Sequence, residues 1–443
     1  MGGLVFRARM LLATLGAVVF CLLLSSGVAF ADSAGKINAG DTAWVLVSSA
    51  LVMFMTPGLA LFYAGMVRRK NALGTILQSF AMVGIIGLLW VVYGYSLAFG
   101  TDHFGFIGSL EWAGLRNVGV APNLDYAPTI PHQAFVIFQA MFAIITPALI
   151  TGAFAERMRF KAFVIFSIVW FTVVYCPVAH WVWGTGGWLR NYGALDFAGG
   201  IVVHISSGIS ALCCAIMLGR RKGFNREEFK PHNLTMTLIG TGMLWFGWFG
   251  FNAGSALAAN GIATGAFLAT NTAGATAAVA WMMLEWCHRG KPTALGVATG
   301  AIAGLAAVTP ASGFITPVAS IAIGAIVSVI CYFAIMLKGK FGYDDSLDVF
   351  GVHGVGGIWG VIAVGLFATG AINPVVKTNG LFLGGSELLL KQTVAAVTVA
   401  GYSFVMTFIA LKVIGVITPL RVEKDDEETG LDLTQHGEVG YSL

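Results

Sequence analysis

Apolar runs of about twenty residues recur along the chain, separated by short polar breaks, and that is the length an α-helix needs to cross a bilayer. Eleven such runs are placed near 42–66, 73–99, 133–154, 162–184, 197–219, 234–256, 264–287, 293–310, 316–337, 350–370 and 392–419. The eighth is short, rich in Ala and Gly, and closed by Pro310. The pattern predicts an all-α membrane protein, with one membrane domain over residues 32–420 and a polar tail over 421–443.

Ahead of the first run stands a different pattern. Arg7 and Arg9 form a basic start, an apolar stretch follows from Met10 to about Leu24, and Ala29-Phe30-Ala31 offers a small-residue cleavage site. Residues 1–31 therefore read as a signal peptide, the alternative being an uncleaved anchor helix. Orientation follows from the basic residues of the short loops. Arg68, Arg69, Lys70, Arg157, Arg159, Lys161, Arg220, Arg221, Lys222, Arg226, Lys230, Arg289, Lys291, Lys338 and Lys340 fall in alternate loops, fifteen on one side. The other side holds only Lys36, Arg116, Arg190, Lys377 and Lys391, which places the N-terminus outside and the tail in the cytoplasm.

Composition strengthens this picture. Charged residues are 10% of 443, against roughly a quarter in a soluble chain, so the surface could not be solvated in water. Apolar residues make up 57%, the mean hydropathy is +0.82, and 58 glycines fit the close helix contacts of a membrane bundle. A net charge of +4 is too small and dispersed to suggest nucleic acid. Cys21 would leave with the signal peptide, and Cys176, Cys213, Cys214, Cys287 and Cys331 lie within or at the ends of apolar runs. They have no metal-ligand spacing and read as free thiols, with no disulfide. Nothing resembles a nucleophile–base set, a nucleotide loop or a metalloprotease motif, so neither an enzyme nor a cofactor is expected.

Ionisable residues inside spans are costly and mark function by default. Lys412 and Glu285 lie near span ends and are expected to snorkel. Asp196, His204 and His353 are harder to dismiss. Asp196 opens the fifth span, where a carboxylate caps helix N–H groups and would also favour an arriving cation. His204 and His353 occupy matching places in two halves, each a few residues into its span after an aspartate (Asp196, Asp348) and a glycine. Five spans separate them, so the halves have opposite topology. That is the inverted five-plus-five repeat of transporters, with a final helix added and a site at the interface.

At these residues the chain resembles the ammonium transporter family, of bacterial Amt type. The likeness runs through Thr56 to Gly65, Gly152 to Arg157, Asp196 to Arg221, Trp248 to Ser255, Asp348 to Gly357 and the tail's Gly430-Leu431-Asp432. It implies an outer cation site of Trp183, Phe142 and Ser255, and a gate of Phe142 stacked on Phe251. It further implies twin lumen histidines His204 and His353, a pore-side Trp248 and a structural, cation-favouring Asp196. The family also implies a homotrimer in the inner (plasma) membrane and a cytosolic regulator of the PII type.

The chemistry of those residue types agrees. Aromatic faces attract ammonium by about 0.5–2 kcal/mol per contact, whereas burying a bare ion costs tens of kcal/mol. A cation can be selected at such a mouth but crosses more easily after losing a proton. Neutral histidines offer a relay for that proton. Two alternatives stand beside transport: a bis-histidine haem site, and ammonium sensing signalled through the tail.

Overall fold

The computed structural model describes residues 36–441, so the expected signal peptide lies outside the described residues. Among the described residues, ten helices are long and apolar enough to cross a membrane: α1 (Ala39–Met66), α2 (Arg69–Phe99), α3 (His132–Phe154), α4 (Phe160–Tyr192), α5 (Gly200–Leu218), α6 (Leu234–Ala256), α7 (Gly261–Arg289), α9 (Pro317–Phe341), α10 (Phe350–Phe367) and α11 (Glu387–Ile417). Between α7 and α9 lies α8 (Ala294–Val308), apolar but only 15 residues long, or about 22 Å at the helical rise. This is the short eighth run of the sequence. A full bilayer core needs about 30 Å.

The breaks fall where capping chemistry dictates. Asn260 accepts hydrogen bonds from the Ile262 and Ala263 N–H groups at the start of α7. Thr293 and Thr316 do the same for Gly296 and Ala319 at α8 and α9, and Pro317 fills the first turn of α9. Gly290 and Gly342 end α7 and α9 in the left-handed conformation that favours glycine. α3 and α5 are the most enclosed of the spans, and α2 and α7 among the least. Among the described residues, four π-helical turns interrupt the regular winding, at Trp90–Gly94, Phe171–Tyr175, Gly200–Ile205 and Phe350–Gly354. The last two carry His204 and His353.

At the end bearing the fifteen basic residues, charges are buried in pairs. The Glu156 carboxylate accepts from the Arg68 backbone N–H at 2.8 Å and from Asn71 Nδ2 at 3.0 Å, and it pairs with Arg221 at 3.1 Å. Burial raises Glu156, but Arg221 and Arg68 outweigh it and hold the group below the ordinary glutamate value. Arg221 also pairs with Asp344 at 2.9 Å.

One expectation is corrected here. Glu285 does not snorkel: it is buried and accepts from the Thr293 N–H and hydroxyl, both at 2.8 Å, because the α7–α8 turn folds Thr293 back onto it. The charge run 423–428 is also packed against the fold. It forms α12 (Lys424–Thr429), whose Glu427 is buried against Arg421 at 2.6 Å and the Lys222 N–H at 2.7 Å. Lys412, by contrast, is exposed beside the Phe408 ring.

The tail continues into α13 (Leu431–His436) and docks on the α1–α2 turn. Asp432 accepts from the Leu73 and Gly74 N–H groups at 3.0 and 2.7 Å, capping the regular part of α2, and the Leu431 N–H donates to Asn71 Oδ1 at 2.8 Å. Gly430, at φ +114°, passes so close to Lys70 that a Cβ would sit 2.6 Å from its Cβ.

Candidate functional site

A cavity of about 370 Å³ opens at the end opposite the tail, and its walls include Trp183, Phe142, Ser255, Asp196, Asp125 and Gln139. Trp183 stands at the end of the main run of α4, and its indole Nε1 donates to the Asp196 carbonyl at 3.0 Å. The Trp183 and Phe142 rings meet edge to face, 5.8 Å between centroids. Ser255, in the last turn of α6, donates to the Phe251 carbonyl at 2.8 Å, and its remaining lone pairs are free to accept. Gln139 lies one turn before Phe142, and its Oε1 is buried without a partner among the described residues.

Beneath the cavity the Phe142 and Phe251 rings lie 4.3 Å apart, tilted by 37°, and both are almost wholly buried. Below them is a much smaller space of about 20 Å³, lined by Phe251, Trp248, His204, His353 and apolar side chains. That volume suits one water-sized molecule. Trp248 is held by a hydrogen bond from Nε1 to Thr309 Oγ1 at 2.9 Å, and its ring lies 5.7 Å from His204. A second space of about 50 Å³ continues toward the basic end, sharing Phe62, Ile302 and His353 with the first and reaching Asp348.

The two histidines face one another with Nδ1 to Nδ1 at 3.2 Å and rings 17° from parallel. Only one proton fits between two such nitrogens, so one imidazole donates and the other accepts. His204 Nε2 is buried with no partner among the described residues. A hydrogen-bond distance between the nitrogens leaves no room for an iron and its porphyrin between them, which speaks against the haem alternative.

Glycine makes this approach feasible. Gly208 and Gly357 each lie four residues after a histidine. A Cβ on Gly208 would fall 2.1 Å from the Gly354 nitrogen, and one on Gly357 would fall 2.9 Å from the His204 Cβ. α5 and α10 thus cross backbone against backbone, each presenting its own histidine to the other's.

Asp196 behaves as a cap: Oδ1 accepts from Gly199 and Gly200, Oδ2 from Ile201 and Val202, at 2.7–3.1 Å. The matching residue in the second half is Asp345, not Asp348. Asp345 accepts from the Phe350 N–H at 2.7 Å, whereas Asp348 turns to Lys338. The signal was available, since Asp196 and Asp345 each precede their histidine by eight residues. Asp348 simply lay nearer. Gln139, Gly208 and Gly357 were also missed, because an amide or a glycine carries no hydropathic mark of its neighbours.

Trp183, Phe142, Phe251, His204 and His353 thus form one column, with Ser255 and Asp196 at its head and Trp248 at its side. Against known proteins, the model of the Ammonium Transporter Family matches residues 43–441. A Bacillus subtilis protein named ammonium transporter is 53% identical, over 91% of this chain and 98% of its own. The crystal structure of Candida albicans Mep2 superimposes with a TM-score of 0.84 at 37% identity, covering 92% of this chain and 91% of that one. A solved structure titled Sensor Amt Protein gives 0.83 at 29% identity, covering 90% and 98%. With the family model covering nearly every described residue and half the residues shared with such a relative, the chain belongs to the Ammonium Transporter Family.

Proposed function

We propose that the protein carries ammonium across a membrane by binding the cation at the outer cavity, removing a proton, and passing neutral ammonia down the histidine-lined column. The observation that carries this reading is the 3.2 Å histidine pair in a space of about 20 Å³, closed from the outer cavity by two touching phenyl rings. A hydrated cation is too large for that space, and a bare one would lose tens of kcal/mol of hydration against apolar walls. Ammonium escapes the dilemma by deprotonation; potassium cannot.

Each group then has a role in this reading. Trp183 and Phe142 attract the cation through their rings, and Ser255 and Gln139 offer oxygen acceptors to its N–H groups. The aspartates of the cavity, Asp125 and Asp196, add negative charge where the cation arrives. Phe142 and Phe251 gate the column. His204 and His353 share one proton and pass it along, while Trp248 walls the space.

The same reading extends to topology. Residue 38 is tied to the outer loop by its N–H to Thr129, and Leu420 is tied to Arg159 at the basic end. α8 starts beside Glu285 near the basic end and runs into Pro310, which touches Gly200 at the other. These ties support eleven crossings in an inverted five-plus-five repeat plus α11, N-terminus outside; the inner (plasma) membrane belongs to this reading through the family. The matched aspartate–histidine spacing supports the repeat. A homotrimer and a PII-type regulator belong to this reading through the family.

The test is current in proteoliposomes at matched protein density. His204→Asp or His353→Glu introduces a fixed negative charge where attraction is far stronger than in water, and potassium-evoked current is expected to appear. His204→Ala with His353→Ala should remove most ammonium-evoked current. Acidic variants that still exclude potassium, together with a double alanine variant of wild-type current, would reduce the histidines to packing.

A second reading, ammonium sensing, is favoured by the docked tail and the likeness to the sensor structure. Measuring uptake beside the nitrogen response of a transport-deficient host separates the two.

A further inference from the structure

The tail helix α13 does not seat flush on the bundle. Between it, α2 and the turn into α4 lies a space of about 10 Å³, room for one molecule the size of water or ammonium. Thr75 and Gln78 of α2 wall one side, Glu156 and Phe160 a second, and Gln435 and His436 of the tail the third. None of these residues lines the column of rings or the cavities along it.

The wall is rich in unspent acceptors. Gln78 is 6% exposed, and its Oε1 has no partner among the described residues. A buried amide oxygen is costly to leave unpaired, so the space calls for a molecule that donates. Thr75 Oγ1 donates to the Asn71 carbonyl at 2.7 Å and keeps lone pairs to accept. Gln435 Oε1 accepts from the Phe160 N–H at 3.3 Å and has a second lone pair. Burial outweighs Asp432 and Glu438 and holds the His436 imidazole below its ordinary value, so at pH 7 it is neutral and one ring nitrogen can accept. The Phe160 ring, 4.8 Å from that of His436, adds an aromatic surface. No lysine or arginine lines the space; Arg68 and Arg221 pair with Glu156 without reaching its wall.

We propose that this space is a regulatory site for an ammonium ion, closed by the docked tail. A buried cation needs an acceptor for each N–H group, and the wall offers several beside an aromatic ring, whereas a water brings only two donors to them. The choice of ammonium rests on the transport reading above; the need for a donor does not. Because Gln435 and His436 belong to the wall, an ion bound there stabilises the docked state of α13 by mass action. Docking of the tail then follows the ammonium present at the basic end.

Hydrogen exchange of the tail amides tests this, on the full chain in nanodiscs, with ammonium chloride against equal sodium chloride. At ammonium about ten times its dissociation constant, exchange over Leu431–His436 is expected to slow on the order of tenfold. Gln78→Leu should abolish the slowing. Gln78→Glu, which sets a negative charge against the cation, should reach it at lower ammonium. Trp183→Leu with Ser255→Ala, which disables the outer cavity, should keep it. Melting temperatures certify the fold of each variant, and Gln78→Glu decides the matter should Gln78→Leu fail to fold. Equal exchange in ammonium and sodium makes the space a water site and overturns the proposal. So does slowing that survives in folded Gln78→Leu, vanishes in the outer-cavity variant, or is unshifted in Gln78→Glu. Equal slowing by potassium chloride would mark a general cation effect and overturn it too. Ammonium current from the same preparations reads transport separately: normal current beside a tail indifferent to ammonium defeats this inference alone.

Discussion

At the scale of single residues, the loop carrying Asp102 offers a carboxylate with a clear pH signature. His180, wholly buried in α4, turns Nε2 to Asp102 Oδ1 at 2.8 Å and Nδ1 to the Ala98 carbonyl at 3.0 Å. Both ring nitrogens face acceptors, which ties the loop carrying Asp102 to the helix that ends in Trp183. Partial burial raises the Asp102 carboxyl, but the His180 hydrogen bond and the Gly105 N–H outweigh it and hold the group below its ordinary value. A depressed carboxylate stabilises the fold above the ordinary aspartate value of about 4, and that stabilisation is lost as pH falls through the depressed folded value. Asp102→Asn is therefore expected to lower the melting temperature at pH 7 by roughly 1–2 °C, since the pair is partly solvated. The gap to wild type should close in acid near pH 3 or below. A gap that persists undiminished in acid would mean that the carboxylate's charge is irrelevant there.

The helix is the scale at which the two histidines are brought together. π turns at Gly200–Ile205 and Phe350–Gly354 add a residue to the local winding, and an aspartate caps each from outside the helix. The crossing of α5 and α10 depends on Gly208 and Gly357: a Cβ on Gly208 meets the Gly354 backbone, and one on Gly357 meets the His204 Cβ and the Ile205 nitrogen, none of them a flexible side-chain tip. Gly357→Ala should cost about 1–3 kcal/mol by overpacking and part the imidazoles. The expected result is a folded but less stable protein whose ammonium current falls well below wild type. Melting and proteoliposome current, taken on one preparation, check both halves. Normal current in a folded Gly357→Ala protein would show that the close crossing is dispensable. The histidines and their matched spacing could be read from the chain, but the crossing glycines could not, because a glycine carries no mark of the helix it will meet. The choice of Asp345 over Asp348 could not be read from proximity, since each carboxylate's partner is decided by where Lys338 and the Phe350 N–H come to lie.

For the whole molecule, the tail connects the ends of several helices. Leu431 reaches Asn71, Asn71 reaches Glu156, Glu156 reaches Arg221, and Arg221 reaches Asp344. Asp345, the next residue, caps the helix of His353. Removal of everything after Arg421 uncaps α2, exposes Asn71 and frees Lys222, so uptake is expected to fall on the order of fivefold or more. Counting assembled protein in the membrane separates lost coupling from lost folding. Full uptake and intact PII-type binding in the truncated protein would remove any coupling role from the tail.

The sequence by itself determined which segments are helical and apolar, where the polar breaks fall, and which loops carry the basic residues. Those properties are sums of local transfer free energies and capping preferences, legible one segment at a time. Through matched motifs it also marked Trp183, Phe142, Phe251, His204 and His353. Only the tertiary structure decided that these side chains stand in one column, that Glu427 and Glu285 are buried, and that Arg221 turns inward while Arg220 stays exposed. A charged or polar side chain takes whichever partner the packing of distant helices brings within about 3 Å, and no local preference encodes that choice.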